Sequence, residues 1–515
     1  MGAPSGAPRS ARLRACALAL AVAAAATLAG TAAADAKEGA RPESELIDDI
    51  VELVSIPSVS ALPAHRADVR QAVEWFAARL RRGGWFPDAR VMETGGHPVV
   101  LATLDATIPD DAPTVTVYGH VDVQPVDPLD LWRANPYALR RETLNSTGED
   151  ILVGRGACDD KGNLLAALAG IEDYLGAQRG NSPVRVAFFV EGQEEIGSPQ
   201  LESFIEAHKD TLATDYVLSA DGSQPAPGVA GIVVGLRGAM ALQVDVVGPA
   251  QDLHSGFWGG VVANPLAGLA RLLSTLHEPD GTIAVDGFFD GVAEPTDKER
   301  ESMDRFPFDE AAAMAELGIA EWGPGERGRS LLERRWTRPT IEVVGMHGGF
   351  TGEGIKTVLP SAASAKLSCR LVPGQTPARA LAAVSAHLER EAARIPGLHV
   401  DVSELSFKAD PYYADADSPA NAAAARVLEG EYGAEPVLYR IGASIPAVGY
   451  FAKHLGARTT LLAFSHQDER AHSPNEFFRL DGGMRRARRT YAAILPALAE
   501  EHAKARAQGG ARDEL

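Results

Sequence analysis

The sequence has few cysteines, no long apolar run beyond its N-terminal segment, and fewer basic than acidic residues. Three cysteines among 515 residues are too few for a fold built on disulfide bonds. Beyond residue 34, no apolar run reaches the roughly 20 residues that a membrane-spanning helix needs. Lysine and arginine number 49 against 69 aspartates and glutamates, a net charge of −20. So acidic a chain repels nucleic-acid phosphates and anionic lipid, and neither is expected as a partner.

The composition is otherwise that of a globular protein. Hydrophobic residues make up 45% and charged residues 23% of the chain, which excludes a mainly disordered or collagen-like protein. At about 150 residues per domain, the length predicts two to three domains.

The two ends carry targeting patterns. Three arginines precede an apolar run over residues 15–29, and small residues follow up to Ala34. This pattern is typical of a secretory signal peptide over residues 1–34, and the alternative is an alanine-rich first helix. We therefore expect a secreted or periplasmic protein that is free of the membrane once the signal is removed. Residues 512–515 (RDEL) resemble an endoplasmic-reticulum retention signal, which we interpret as coincidence.

Helical and strand patterns alternate in the first half of the chain. Apolar residues at helical spacing predict helices over residues 43–54, 67–80 and 163–175. Short β-branched or apolar runs predict strands over residues 99–104, 114–118, 184–190 and 216–218. The fold class is therefore α/β, a mixed sheet covered by helices. Such sheets bind ligands beyond the carboxyl ends of their strands.

A second pattern begins near residue 231. Strand-like runs cover residues 232–236, 241–247 and 366–372, and a helix is predicted over residues 377–394. A long polar stretch, residues 278–338, separates them. The order predicts a small α+β unit, after which a helical pattern resumes at residues 418–432.

Acidic and histidine residues concentrate in a few segments, most of them at the ends of strand-like runs. These segments are residues 118–122, 154–162, 191–195, 219–222 and 471–476. Carboxylates crowded at one rim repel each other unless something neutralises them. A pair of divalent cations does so, and imidazole with carboxylate ligands suits zinc, manganese or cobalt. The alternative is that each acid is an isolated surface or capping residue.

Several of these motifs, in this order, resemble the M20 metallopeptidases, specifically the dipeptidases related to carnosinase. The resemblance covers residues 46–493, nearly all of the chain after the signal. Its most specific motifs are residues 119–125 (GHVDVQP), 154–162 (GRGACDDKG), 191–198 (EGQEEIGS), 252–256 (DLHSG) and 471–476 (AHSPNE).

The resemblance implies a division of the chain and a set of metal ligands. It implies a discontinuous catalytic domain over residues 35–233 and 412–505, an inserted lid or dimerisation domain over residues 234–411, and a tail over residues 506–515. It implies two divalent metal ions, with zinc the first choice, held by His120 and Asp221, by Glu195 and His472, and by Asp159 bridging both. It also implies that the Asp159–Asp160 peptide bond is cis.

The resemblance further assigns three residues to catalysis. Glu194 would be the general base that takes a proton from the metal-bridging water. Asp122 would accept the second N–H of His120 and fix the imidazole tautomer. His254 would donate to the tetrahedral oxyanion, in dimeric relatives from the neighbouring subunit. The alternative for His254 is a buried structural histidine.

Substrate binding is implied for three more residues. Arg370 would grip the C-terminal carboxylate of the substrate, for which a guanidinium fork is suited. Thr357 and Ser444 would contact the substrate from two loops. In the second loop this chain has Ile441 where the family has glutamate and Ala443 where it has glycine, so the pocket is expected to differ from that of the relatives.

These features predict a dinuclear metallopeptidase that cleaves dipeptides or short peptides with a free C-terminal carboxylate, working as a homodimer. An N-acyl-amino-acid amidohydrolase of the same fold is the first alternative. A phosphoesterase lacks support, since no glycine-rich phosphate loop accompanies the ligands, and a non-catalytic metal- or peptide-binding protein would not need Glu194.

The histidines His97, His347 and His466 are interpreted as structural or solvent-facing. Cys158 is interpreted as a packing residue, with no disulfide to Cys369 expected.

Overall fold

The computed structural model describes residues 41–513. The predicted signal peptide, residues 1–34, lies outside the described residues, as does the end of the RDEL sequence. Within the described part, the helices include none with the length and apolar character that a membrane span requires.

Strands and helices alternate along most of the chain. The strands are β1 (Arg90–Met92), β2 (Val99–Thr103), β3 (Thr114–His120), β4 (Arg140–Thr143), β5 (Asp150–Val153), β6 (Arg185–Glu191), β7 (Tyr216–Ser219), β8 (Ser223–Gln224), β9 (Gly231–Leu236), β10 (Gly238–Val247), β11 (Leu253–His254), β12 (Thr340–Gly348), β13 (Val358–Leu359), β14 (Ala362–Leu371), β15 (His399–Ala409), β16 (Tyr412–Tyr413), β17 (Val437–Ile441), β18 (Arg458–Leu461), β19 (Ser465–His466) and β20 (Phe477–Arg479). The α-helices are Glu43–Val54, Arg66–Arg82, Lys161–Ala177, Leu201–Ala207, Ser255–Trp258, Pro265–Ser274, Asp297–Arg305, Glu310–Leu317, Leu331–Thr337, Pro377–Ala392, Pro419–Tyr432, Pro446–Leu455 and Arg486–Asp513.

The largest sheet is mixed and has the strand order β1-β2-β6-β3-β7-β18. Strands β6, β3, β7 and β18 are parallel, and β1 and β2 form an antiparallel edge. Alternate residues of β3 face opposite sides of the sheet, so Val117 and Tyr118 join separate buried clusters. The helix Lys161–Ala177 is buried along most of its length, as expected for a Leu- and Ala-rich helix that lies between other layers of the fold. The predicted helix-covered mixed sheet is confirmed.

A separate α+β unit follows the main sheet in the sequence. Its antiparallel sheet has the order β12-β14-β10-β15. The helices Pro265–Ser274 and Pro377–Ala392 pack on this sheet through Leu269 and Val384 to form a second hydrophobic core. This unit lies within residues 234–411, the stretch for which an inserted domain is predicted. The boundary predicted between residues 233 and 234 falls inside β9, which pairs with β16 and β17.

The polar stretch at residues 278–338, for which the sequence analysis predicted no elements, contains three helices. Two of them begin with capping boxes, Thr296 with Glu299 and Ser330 with Glu333, a signal that was readable in the sequence. The first and third helices pack on β9 and β17 through residues that include Trp336. The stretch therefore connects the inserted unit to the rest of the fold.

Candidate metal centre and substrate site

Three parallel strands end at one edge of the main sheet. Strand β3 ends at His120, β6 at Glu191 and β7 at Ser219, and β3 lies between the other two. Because carboxyl ends of parallel strands meet at the same edge, the residues that directly follow them converge there. That edge therefore carries His120, Asp122, Glu194, Glu195 and Asp221.

The predicted ligands form two adjacent groups. In one group, ligand atoms of His120, Glu194 and Asp221 lie within 4.8 Å of one another. In the other, ligand atoms of Asp159, Glu195 and His472 lie within the same distance. All five predicted metal ligands, and the predicted base, thus belong to one of the two groups.

Asp159, a member of the second group, also contacts the first. Its Oδ1 lies 3.1 Å from His120 Nε2, and its Oδ2 lies 2.9 Å from His472 Nε2. His472 Nε2 is also 3.1 Å from Glu195 Oε2. One oxygen of Asp159 therefore faces each group, which is the geometry that a bridging carboxylate needs. The Asp159–Asp160 peptide bond is cis, as the resemblance implied.

Asp122 connects His120 to the segment that carries Glu194 and Glu195. Its two carboxylate oxygens accept the backbone N–H groups of Glu194 at 3.2 Å and of Glu195 at 3.1 Å. His120 Nδ1 lies 3.1 Å from the Asp122 carbonyl oxygen and 3.5 Å from its carboxylate. The carboxylate thus orients both glutamates, a role that the sequence did not indicate, and the main chain is the nearer partner of the imidazole.

Glu476 holds the loop that presents Asp159. This fully buried carboxylate accepts hydrogen bonds from Arg155 at 2.7 Å and from the backbone N–H groups of Gly156, Cys158 and Asp159 at 3.0 to 3.2 Å. Glu476 belongs to the motif of residues 471–476, but its residue type and spacing indicated no role. Its role arises because two motifs that are distant in the sequence, residues 154–162 and 471–476, meet in the buried interior. No spacing rule predicts that contact.

The electrostatics of the centre favour cations. Burial raises the pKa of Asp221 to about 7 and that of Glu194 well above its usual value. Hydrogen bonds to Asp159 and Glu195 raise the pKa of His472 to about 11. So many buried carboxylates need positive charge nearby. The nitrogen and oxygen donors, and their grouping around Asp159, fit two divalent cations.

The predicted substrate-binding residues, together with the predicted catalytic residue His254, form two pairs. Arg370 Nη1 donates to Ser444 Oγ at 3.1 Å, and Ser444 Oγ in turn donates to the Arg237 carbonyl at 2.5 Å. His254 lies on β11, opposite Val358 of β13, and the Thr357 carbonyl accepts the N–H of Ser255 at 3.0 Å. His254 is exposed, in contrast to the buried alternative. Among the described contacts, neither pair hydrogen-bonds to a predicted metal ligand.

The remaining histidines and cysteines lie outside both groups. His466 is buried with Nδ1 3.4 Å from Glu469, His97 is half-buried, and His347 is exposed. Cys158 and Cys369 are buried free thiols in separate hydrophobic cores. These positions agree with the structural interpretation of all five residues.

Comparison with known proteins identifies similar chains over nearly the same length. The model of Peptidase family M20/M25/M40 matches residues 116–497. The Cys-Gly metallodipeptidase of Candida albicans is 31% identical over 456 residues, which cover 86% of this chain and 92% of the relative. The human Beta-Ala-His dipeptidase is 29% identical over 449 residues, covering 84% of this chain and 86% of the relative.

Solved structures agree. An M20 family metallo-carboxypeptidase from Sulfolobus solfataricus aligns with a TM-score of 0.77 and 29% identity, covering 88% of this chain and 99% of that one. Human carnosine dipeptidase 1 aligns with a TM-score of 0.70 and 29% identity, covering 89% of this chain and 96% of the other.

Proposed function

The chain belongs to peptidase family M20/M25/M40, and from this premise we propose that it hydrolyses dipeptides and short peptides with a free C-terminal carboxylate. The relatives named above include dipeptidases for Cys-Gly and Beta-Ala-His. The observation that carries the proposal is that Asp159 contacts both groups of ligands, one of which also contains Glu194, a glutamate suited to act as a base.

Two divalent cations complete this centre, and we propose zinc, with manganese or cobalt as alternatives. His120 and Asp221 would hold one, Glu195 and His472 the other, and Asp159 both. When bound, such cations neutralise the carboxylates, acidify water and polarise the scissile carbonyl.

Glu194 would move the proton. Its backbone is fixed by Asp122, and burial raises the pKa of its carboxyl, which suits a group that must accept a proton and release it. Glu194 would take a proton from the attacking water and return it to the nitrogen of the leaving amine. His254 would donate a hydrogen bond to the oxyanion that develops on the carbonyl.

The substrate carboxylate would be bound by Arg370 and Ser444, which already form one hydrogen-bonded pair, with Thr357 contributing from its loop. A charged, planar guanidinium binds a carboxylate through two parallel hydrogen bonds. The free carboxylate is common to dipeptides and N-acyl amino acids, so it does not distinguish the two.

The test is an assay of metal-loaded protein on a dipeptide panel beside the matching acetyl-amino acids. We expect higher kcat/KM on the dipeptides. Faster hydrolysis of the acetyl-amino acids would replace the proposal with the amidohydrolase.

A homodimer would form through the inserted unit. Strand β12 is an edge strand and exposes apolar side chains, among them Val344 at 64%. Ile355 at 89% and Phe257 at 78% are also exposed, and such surfaces commonly mark subunit contacts. In this arrangement His254, which is exposed on the same unit, would serve the neighbouring subunit's centre.

Export by the N-terminal signal is the last part of the proposal. The basic, apolar and small-residue regions of residues 1–34 support it. The N-terminal sequence of protein recovered outside the cytoplasm should begin at Asp35. Recovery of the intact chain in the cytoplasm alone would contradict export.

A further inference from the structure

The backbone on both sides of His254 is fixed by hydrogen bonds to a neighbouring loop. Before it, the carboxylate of Asp252 accepts the N–H of Ser361 at 3.0 Å and the hydroxyl of the same serine at 3.2 Å. After it, the N–H of Ser255 donates to the Thr357 carbonyl at 3.0 Å. The main chain of this exposed histidine is therefore held in place, and the direction of its imidazole depends on the contacts that the ring itself makes.

Two of the next three residues contact the imidazole. The backbone N–H of Gly256 donates to His254 Nδ1 at 3.0 Å. The centroid of the Phe257 ring lies 4.6 Å from the centroid of the imidazole, with 41° between the two ring planes. His254 and Phe257 are both exposed, so the protein interior does not confine the imidazole. These two contacts are what orients it.

The close approach of the imidazole requires a glycine at position 256. A Cβ at Gly256 would lie 2.9 Å from His254 Cε1 and 3.2 Å from Nδ1. The imidazole thus occupies the space that a side chain at this position would take, which glycine permits. A larger residue would displace the ring, because the ring is the free end of a side chain and can move without the backbone.

The hydrogen bond from Gly256 also decides which ring nitrogen can donate. Because His254 Nδ1 accepts this N–H, it carries the lone pair, and in the neutral imidazole the proton lies on Nε2. The Nε2–H group is then the one donor that the neutral ring can offer to a substrate.

We propose that Gly256 and Phe257 are positioning residues that hold the His254 imidazole in one orientation, with Nε2–H as the donor to the oxyanion. A donor that is oriented before the reaction stabilises the developing charge without having to be ordered in the transition state. This inference rests on the proposed function, because His254 is the proposed oxyanion donor of that reaction.

Gly256→Ala tests the proposal kinetically on a dipeptide such as alanyl-alanine. It should lower kcat about 10- to 100-fold and leave KM nearly unchanged, because a small displacement of a catalytic group is costly in rate. In a His254→Ala background the same substitution should have no further effect, since the ring that it displaces is absent. Gly430→Ala is the matched control and should keep the parent rate, because a Cβ added at this exposed helical glycine meets nothing within 4 Å.

Chemical modification reports on the imidazole without turnover. Diethyl pyrocarbonate acylates the lone-pair nitrogen of a neutral imidazole, and in His254 that nitrogen is engaged by the N–H of Gly256. Mass spectrometry of the modified, metal-free protein should show His254 reacting severalfold faster in Gly256→Ala and in Phe257→Leu than in the parent protein. His399, which is also exposed, is the internal reference and should react equally in all three.

Three results would overturn the positioning role and leave the proposed function standing. They are equal reactivity of His254 in the three proteins, a loss of rate by Gly256→Ala that persists in the His254→Ala background, and a loss of rate that light scattering traces to dissociation of the Gly256→Ala dimer. No dipeptide hydrolysis by the metal-loaded parent protein would overturn the proposed function and, with it, the catalytic part of this inference.

Discussion

At the scale of single residues, the centre depends on carboxylates whose two oxygens contact different neighbouring groups. Asp159 offers one oxygen to each ligand group, and Asp122 uses both oxygens to orient Glu194 and Glu195. The strand ends predicted that Asp122, Glu194 and Glu195 meet, and the resemblance to the M20 metallopeptidases placed Asp159 among them. The sequence did not predict the second role of Asp122, since backbone hydrogen bonds of this kind leave no pattern in residue types.

Glu194→Gln should abolish turnover and keep the metal. The amide has nearly the same shape but cannot accept the proton, and loss of a general base costs about 10²–10⁴-fold in rate. Steady-state kinetics with metal analysis of the same samples measures both. Glu202→Gln, a surface position paired with Lys453, is the matched control and should keep its activity. A Glu194→Gln enzyme with an unchanged rate would rule out this mechanism.

Asp122→Asn should weaken metal binding about 10- to 100-fold, the usual cost of losing a residue that orients metal ligands. The asparagine oxygen can still accept one of the two backbone N–H groups, but the amide nitrogen cannot accept the other, so the segment bearing Glu194 and Glu195 loses one of its two hydrogen bonds. Competition with a metal chelator measures the affinity. An affinity equal to that of the parent protein would show that the carboxylate does not position the ligand segment.

At the scale of elements, the centre is built by loops that the core holds in place. Predicted strands and helices of the main sheet agree with the observed ones to within a few residues, because β-branched runs and helical spacing mark buried elements directly. The helices Asp297–Arg305 and Leu331–Thr337 were missed because they are short and rich in charged residues, and their capping boxes were the sequence signal that marks them. The buried contact of Glu476 with the Asp159 loop joins distant segments, and no local pattern predicts it.

Glu476→Gln should destabilise the fold by about 3 kcal/mol, since removing one partner of a buried ion pair leaves the other charge without compensation. Arg155 is that partner, at 2.7 Å. Urea denaturation of the metal-free protein measures the change without interference from metal affinity. Asp417→Asn, in an exposed pair with Lys298, is the control and should have little effect. Equal denaturation midpoints for the Glu476 variant and the parent protein would contradict the role of this contact.

At the scale of the whole molecule, the substrate residues occupy two places. Arg370 and Ser444 lie at the junction with the main fold, whereas His254 and Thr357 lie together on the inserted unit. The sequence predicted the inserted unit from its change of strand pattern near residue 231. It gave no measure of how the second pair approaches the metal centre, because in the proposed homodimer that approach would be set by the neighbouring subunit.

Val344→Asp should shift the protein to a monomer, since a charge on the exposed face of edge strand β12 opposes association. Activity should fall with it, because His254 would no longer lie near the metal centre of a neighbouring subunit. Light scattering after size-exclusion chromatography gives the mass. Val51→Asp, at an exposed valine on the helix Glu43–Val54, is the control and should stay dimeric. A fully active monomeric variant would contradict the role of the neighbouring subunit, and an unchanged dimer would contradict an interface at β12.

The most direct test of the central claim is a metal titration of chelator-treated protein, assayed on a simple dipeptide such as alanyl-alanine. The two ligand groups joined by Asp159 predict that hydrolysis is absent without metal and reaches its maximum at two equivalents of zinc, manganese or cobalt. Full hydrolysis by the metal-free protein, or no dipeptide hydrolysis at any metal load, would contradict it.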